Sequence, residues 1–243
     1  MAAIPAIEAN EPLAAIPSRA LTPEQLLRPL NDFERKNAPE TLFVAGDDSL
    51  LRRFAKVSVV GARKASADGL RRASRLARAL AQREILVVSG LAEGIDTAAH
   101  QAAIDEGGRT AAVLGSPLDV AFPPRNRELQ RTIMEEHLAV SQFPAGHPVR
   151  RTNFPRRNRT MAILSDATVI VEASDGSGSL SQGWEALRLR RPLLLLRSLV
   201  DSASLKWPAE MIAYGAEILS DPEEIFDLVS LELTAPQAFA LAF

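Results

Sequence analysis

The sequence predicts an α/β fold built on a doubly wound, mostly parallel sheet in a three-layer sandwich. Three observations lead there. Short apolar runs alternate with amphipathic stretches of helical period. The runs are continuous rather than alternating, as expected of strands covered on both faces. Segments rich in glycine and small residues fall just after the runs. Strand–helix–strand alternation at this spacing implies right-handed crossovers between parallel neighbours.

Residues 1–30 read as an N-terminal extension, mobile over its first 20 or so residues, which are rich in alanine and proline. A short helix closes it, with Thr22 as N-cap, Pro23 at the first helical position and Leu26, Leu27 and Leu30 as its apolar side. The core is expected over 31–230. Its strands are Val57–Val60, Ile85–Val88, Thr110–Leu114, Leu138–Ser141, Ala167–Val171 and Leu193–Leu196. Between the first two, Leu70, Ala73, Leu76, Ala77 and Leu80 form a helical stripe, with Arg71, Arg72, Arg75 and Arg78 on a solvated face. Further helices are expected at Pro208–Tyr214 and at Pro222–Val229, the latter capped by Asp221. Residues 231–243 form a C-terminal tail.

Composition narrows the function. With 243 residues, 47% hydrophobic and 24% charged, the chain suits one substantial globular domain with a small appendage. Cysteine is absent, which excludes disulfides and thiolate metal sites and fits a reducing, cytoplasmic setting. Apolar runs such as Pro192–Leu196 fall far short of the roughly 20 residues a spanning helix needs, so no membrane partner is expected. The start lacks a basic segment and is broken by proline, unlike a signal peptide.

No cofactor or metal is expected. His100 follows Asp96 by one helical turn, but zinc wants three or four ligands, so Asp96 is expected to brace the helix start. A G-x-G-x-x-G element is missing after the first strand and G-x-x-x-x-G-K-[ST] is missing throughout, which argues against nicotinamide enzymes and P-loop NTPases. Ser89, Ser177 and Ser179 sit in no nucleophile elbow, so no catalytic residue is assigned. The net charge of -2 exerts no global pull on nucleic acid, yet a local basic patch acts within a Debye length of about 8–10 Å.

Two groups of residues point to such a patch. Gly61-Ala62-Arg63, Ser89-Gly90-Leu91-Ala92-Glu93-Gly94, Gly115-Ser116-Pro117 and Asp175-Gly176-Ser177-Gly178-Ser179 follow the first, second, third and fifth strands. In a parallel sheet these loops share the carboxyl edge, where ligands bind at the switch of strand order. Small residues admit a ligand backbone, and helix N-termini offer N–H groups to an anion. The second group is a basic segment, Arg150 to Arg159, in which five of ten residues are arginine, none is acidic and one is phenylalanine. Arginine forks match phosphate oxygens, and an aromatic ring stacks on any base for about 1–3 kcal/mol. That combination suits single-stranded nucleic acid better than a duplex.

These segments resemble the DNA-processing protein A (DprA/Smf) family. The resemblance is carried by VSVVGARKAS (57–66), VVSGLAEGIDTAAHQAAIDEGGRTAAVLG (87–115), FPPRNREL (122–129) and SQFPAGHP (141–148). It continues in FPRRNRTMAILSDATVIVEASDGSGSL (154–180) and WEALRLRRPLLL (184–195), with APETLFVAGDDSLL (38–51) as an introduction. It implies a Rossmann-like core, a homodimer, cooperative binding and protection of single-stranded DNA, and loading of the RecA recombinase in recombination and natural transformation. By motif position it places Arg63 of the G-A-R turn on phosphate and Arg151 as a basic contact beside the stacking Phe154. Arg156, Arg157, Asn158 and Arg159 belong to the R-N-R element, and Ser177, Gly178 and Ser179 to the S-G-S loop. With Gly61, Ser89 and Gly90 these are the candidate DNA-binding residues.

The chain departs from the family pattern at Gln142, where glutamate is usual, at Ser181-Gln182-Gly183 and at Arg197-Ser198; no winged-helix segment is expected after the core. The alternative is a nucleotide-binding or nucleotide-hydrolysing enzyme resembling the lysine-decarboxylase-like phosphoribohydrolases, whose G-G-x-G-T-x-x-E element supplies a glutamate. Here Gln182 stands at that place, with Glu185 a turn further on, and an amide cannot act as a general base.

Overall fold

The computed structural model describes Leu13 and residues 16–226. The expected mobility of residues 1–12, the far end of the last helix and the tail over 231–243 lie outside the described residues. The chain begins with β1 (Arg19–Leu21), α1 (Pro23–Leu26), α2 (Asp32–Asn37), β2 (Leu42–Gly46) and α3 (Leu50–Arg53). Then come β3 (Lys56–Gly61), α4 (Ala67–Gln82), β4 (Leu86–Ser89), α5 (Ile95–Asp105), β5 (Thr110–Leu114), α6 (Arg127–Glu136) and β6 (Leu138–Ser141). The second half holds α7 (Asn153–Leu164), β7 (Ala167–Glu172), α8 (Gly178–Arg188), β8 (Leu193–Leu196), α9 (Arg197–Val200), α10 (Trp207–Ala213) and β9 (Glu217–Leu219).

Among the described residues the strands form one sheet in the order β1-β2-β6-β5-β4-β3-β7-β8-β9. From β6 to β9 every neighbouring pair is parallel, and β2 runs antiparallel to both β1 and β6. The chain therefore winds outward from β3 to β6, then returns to lay β7 on the other side of β3. That reversal opens a crevice at the carboxyl ends of β3 and β7. The predicted α/β, doubly wound, mostly parallel architecture is the one observed.

Strand side chains alternate between two buried faces. Val57 and Val59 pack with Ala73, Leu76, Ile95 and Ala99 of α4 and α5. Val60, Val113 and Ile170 pack with Met161, Ala162 and Ala186 of α7 and α8. Both faces being covered explains the unbroken apolar runs. The buried face of α4 is Gly69, Ala73, Leu76, Ala77 and Leu80, whereas Leu70 is exposed. Its first turn is turned toward the end of β7, where the Glu172 carboxylate accepts from Ser66 N (2.8 Å) and from the Ser66 hydroxyl, so Gly69 takes the buried place.

Residues 19–30, expected in an extension, instead join the sheet and the core. β1 pairs with β2 from Arg19↔Val44 to Leu21↔Leu42. Thr22 and Gln25 form a reciprocal capping box on α1, and Leu26, Leu27 and Leu30 are buried. Below them, the amino edge of the sheet holds a chain of paired charges. Arg191 meets Glu34 at 2.6 Å, Arg28 meets Glu34 at 3.0 Å, and Lys56 meets Asp166 at 2.8 Å. Burial works against the Glu34 charge, but the Asn31 N–H, Arg191 and Arg28 outweigh it and hold the carboxyl below its usual range. Among the described residues no helix is long and apolar enough to cross a membrane.

Candidate nucleic-acid interface

The crevice at the carboxyl edge contains two adjoining clefts. The larger, about 410 Å³, lies between the ends of β3 and β7 and the start of α8, lined by Gly61, Arg63, Lys64, Asn158, Ser177 and Ser179 among others. The smaller, about 240 Å³, lies beyond β4 and β5 and is lined by Gly90, Glu93, Gly115, Phe122, Pro123 and others. Arg63, Ala92, Phe154 and Arg157 line both. The Arg63 guanidinium sits 5.2 Å from the centre of the Phe154 ring. This stacked pair stands where the two clefts meet.

Each wall follows from its sequence. β3 ends at Gly61, and the Ala62-Arg63 turn presses so closely on Gly94 that any side chain there would collide with the carbonyls of both residues. Gly94 also has φ +80°, so glycine is required twice over. Ile95 N, at the start of α5, donates to Ala62 O (3.2 Å) and fixes the G-A-R turn against that helix. Asp96 braces the same loop, its Oδ2 accepting from Gly90 N (3.1 Å) and Ala92 N (3.3 Å).

The basic segment is helical from Asn153 onward. Pro155 falls in the first turn of α7, where a missing N–H breaks no intrahelical bond. Helical geometry then sends the arginines to different places. Arg150 and Arg151 are exposed ahead of α7. Arg156 points outward over the Phe143 ring at 5.3 Å. Arg157 turns inward, is 5% exposed, and donates through Nη1 to Val113 O (2.9 Å). Its guanidinium occupies the space that a side chain at Gly90 would need. Arg159 is clamped by Glu185 at 3.1 Å and 3.3 Å.

Arg157 and Asp96 form the floor of the crevice without an ion pair between them among the described residues. Burial pushes the Asp96 carboxyl above its usual range, with Arg157 and the loop N–H groups opposing it. Burial likewise lowers Arg157, with Asp96 opposing. A guanidinium stays protonated even so. Its Nε is buried and has no hydrogen-bond partner among the described residues.

The S-G-S loop forms the far wall. Ser177 stands at the N-cap position of α8, its hydroxyl 2.7 Å from that of Ser179, and Asn158 Nδ2 donates to Gly178 O at 3.1 Å. A side chain at Gly178 would meet open space. The wall thus presents two hydroxyls and the N-terminus of an eleven-residue helix, a combination that receives anions.

Of the thirteen candidates, Gly61, Arg63, Gly90, Phe154, Arg157, Asn158, Ser177, Gly178 and Ser179 line one or both clefts. The other four do not. Ser89 is fully buried and donates to Val59 O (2.6 Å), bracing the sheet. Arg159 is spent on Glu185, while Arg151 and Arg156 lie outside on exposed surface. Sequence reasoning missed Phe122, whose ring centre lies 5.4 Å from that of Phe154, and Lys64 beside Arg63. For Phe122 the one available signal was an aromatic set before two prolines. Gln182 lines the larger cleft with a buried amide 3.4 Å from Thr168, so an amide fills the place of the glutamate that the hydrolase alternative needs. Glu185 is engaged by Arg159 and Arg188 instead.

Comparison with known proteins gives a consistent picture. Residues 19–230 match the family model of DNA recombination-mediator protein A. The chain is 37% identical over 194 residues to DNA processing protein DprA of Streptococcus pneumoniae, covering 77% of this chain and 68% of that one. It is 38% identical over 190 residues to protein Smf of Escherichia coli, covering 78% of this chain but 50% of the relative. The crystal structure of the pneumococcal protein superposes with a TM-score of 0.75 at 32% identity, covering 86% of this chain and 73% of that one. DNA processing protein A of Helicobacter pylori, whose structure is described for its single-stranded DNA binding mode, also gives 0.75, at 24% identity, covering 90% and 97%. At that identity the likeness shows the fold alone.

Proposed function

Because the chain belongs to the DNA recombination-mediator protein A family, we propose that it binds single-stranded DNA along the two clefts at the carboxyl edge of its sheet. The observation that carries this reading is the Arg63–Phe154 pair at their junction. Arg63 offers a phosphate contact and Phe154 a stacking face, with the S-G-S loop and the α8 N-terminus receiving a neighbouring phosphate. Arg151 and Arg156 extend the basic track over the outer surface. The H. pylori protein, which shares this fold, is described for its binding of single-stranded DNA.

In this reading the protein acts in the cytoplasm as a homodimer without catalytic chemistry, protecting incoming single strands and passing them to RecA in recombination and natural transformation. Two sites in a dimer would hold one strand at two points and raise avidity through effective concentration. The test is fluorescence anisotropy with a labelled single-stranded oligonucleotide and its duplex, each at low and high salt. The single strand binds preferentially and weakens steeply as salt rises. Equal binding of both forms, or binding indifferent to salt, contradicts the proposal.

A further inference from the structure

The smaller cleft contains an acid that phosphate binding does not explain. Of its lining residues, Phe122, Pro123, Phe154, Ala92, Gly90 and Gly115 present apolar surface, and Arg63 and Arg157 present donors. Glu93 supplies the one side-chain hydrogen-bond acceptor in that lining. It is half-buried in the loop between β4 and α5 and has no hydrogen bond or ion pair among the described residues. An unpaired carboxylate next to a phosphate track repels the backbone it borders. Its placement makes chemical sense if this cleft receives a base, whose edge carries donors, and not a phosphate.

The dimensions and walls agree with that occupant. An apolar cavity of about 150 Å³ accepts a benzene ring, so a cleft of about 240 Å³ has room for a heterocyclic base. Phe154 offers a stacking face, and Phe122, 5.4 Å from it, closes the apolar side. The larger cleft next door takes the adjoining phosphate.

We infer that Glu93 is a specificity-determining residue, accepting a hydrogen bond from the exocyclic amino group of cytosine, adenine or guanine seated in the smaller cleft and disfavouring thymine. A carboxylate accepts from an amino group such as cytosine N4, whereas thymine presents the O4 carbonyl at the same position, which repels it. This inference rests on the single-strand reading above and adds a base preference to it.

The experiment compares wild type with Glu93→Gln for binding to labelled oligo-dC and oligo-dT of equal length at one salt concentration. Wild type favours dC by about five- to tenfold, a size typical of one good base-edge contact. Glu93→Gln removes the preference, because an amide both donates and accepts, and it binds dT more tightly than wild type does. The residue is half-exposed and unpartnered, so the substitution leaves the fold intact; matched thermal unfolding of the two proteins verifies this. Equal binding of dC and dT by wild type, or a preference that survives Glu93→Gln, overturns the role of Glu93 and leaves single-strand binding standing. Failure of wild type to bind either strand overturns the single-strand reading and this inference together.

Discussion

The two edges of the sheet are both rich in arginine and use it in opposite ways. At the amino edge, Arg191 and Glu34 are 7% and 1% exposed and lie 2.6 Å apart, with Arg28, Lys56 and Asp166 completing the set. At the carboxyl edge, Arg63, Arg150, Arg151, Arg156 and Arg157 form no ion pair with a carboxylate among the described residues. A buried guanidinium with a carboxylate at hydrogen-bond distance is a fastener. One left without a carboxylate beside a helix N-terminus is an invitation to an anion from outside the chain. Arg159, one residue from Asn158 and clamped to Glu185, shows that pairing and not position in the motif decides which class an arginine joins.

The comparison breaks most visibly at the fastened edge. Arg191→Ala leaves Glu34 buried with the Asn31 N–H and the half-exposed Arg28 as its remaining partners, and is expected to cost about 3–5 kcal/mol of stability. The shift in urea midpoint between wild type and variant measures this. Single-strand affinity of the folded variant should not change.

Acid probes the buried interior between the edges. His100 is fully buried, with Nδ1 2.6 Å from the Thr110 hydroxyl, which in turn donates to Val87 O. Burial, reinforced by His137 and Arg157, lowers its pKa from 6.5 to about 3. Between those values the unfolded chain binds a proton that the folded protein refuses. This part of the stability is therefore complete above about pH 6.5 and declines as pH falls toward 3, by up to about 1.4 kcal/mol per unit. In urea titrations across that window His100→Gln should flatten the slope.

Smaller effects sharpen the open edge. Phe154→Ala should weaken single-strand binding by about 1–3 kcal/mol while leaving its salt dependence unchanged, since stacking releases no counterions. At the other extreme, Arg75→Ala on α4 breaks an exposed pair with Asp221 and should alter stability by about half a kcal/mol or less. It should leave DNA affinity untouched. A loss of affinity there would extend the phosphate track onto α4.

Much of this was legible in the sequence, for identifiable reasons. Six of the seven parallel strands, β3 to β8, announced themselves because both of their faces are buried, which leaves no polar residue to interrupt Leu193–Leu196 or the run that follows Thr110 in β5. β1, β2 and β9 did not. Two of them are three residues long, and β2 joins by antiparallel pairing with β6 without a crossover helix to mark it. The glycine loops pointed to the edge where the two clefts open, since those residues answer to local backbone demands. What sequence could not show was the sorting of the arginines within one run. Whether Arg157 turns under Gly90 or Arg159 meets Glu185 depends on partners 67 and 26 positions away. The Arg63–Phe154 stack joins a β3 turn to α7 and was equally hidden.

In the proposed interface the unpaired arginines of the carboxyl edge contact phosphate and the paired ones do not. The most direct test is the slope of log affinity against log salt for a single-stranded oligonucleotide, measured for wild type, Arg63→Ala and Arg159→Ala. The slope should shrink by about 0.7 for Arg63→Ala, one single-strand phosphate contact, and stay at the wild-type value for Arg159→Ala. An unchanged slope for Arg63→Ala, or a reduced one for Arg159→Ala, would contradict the account.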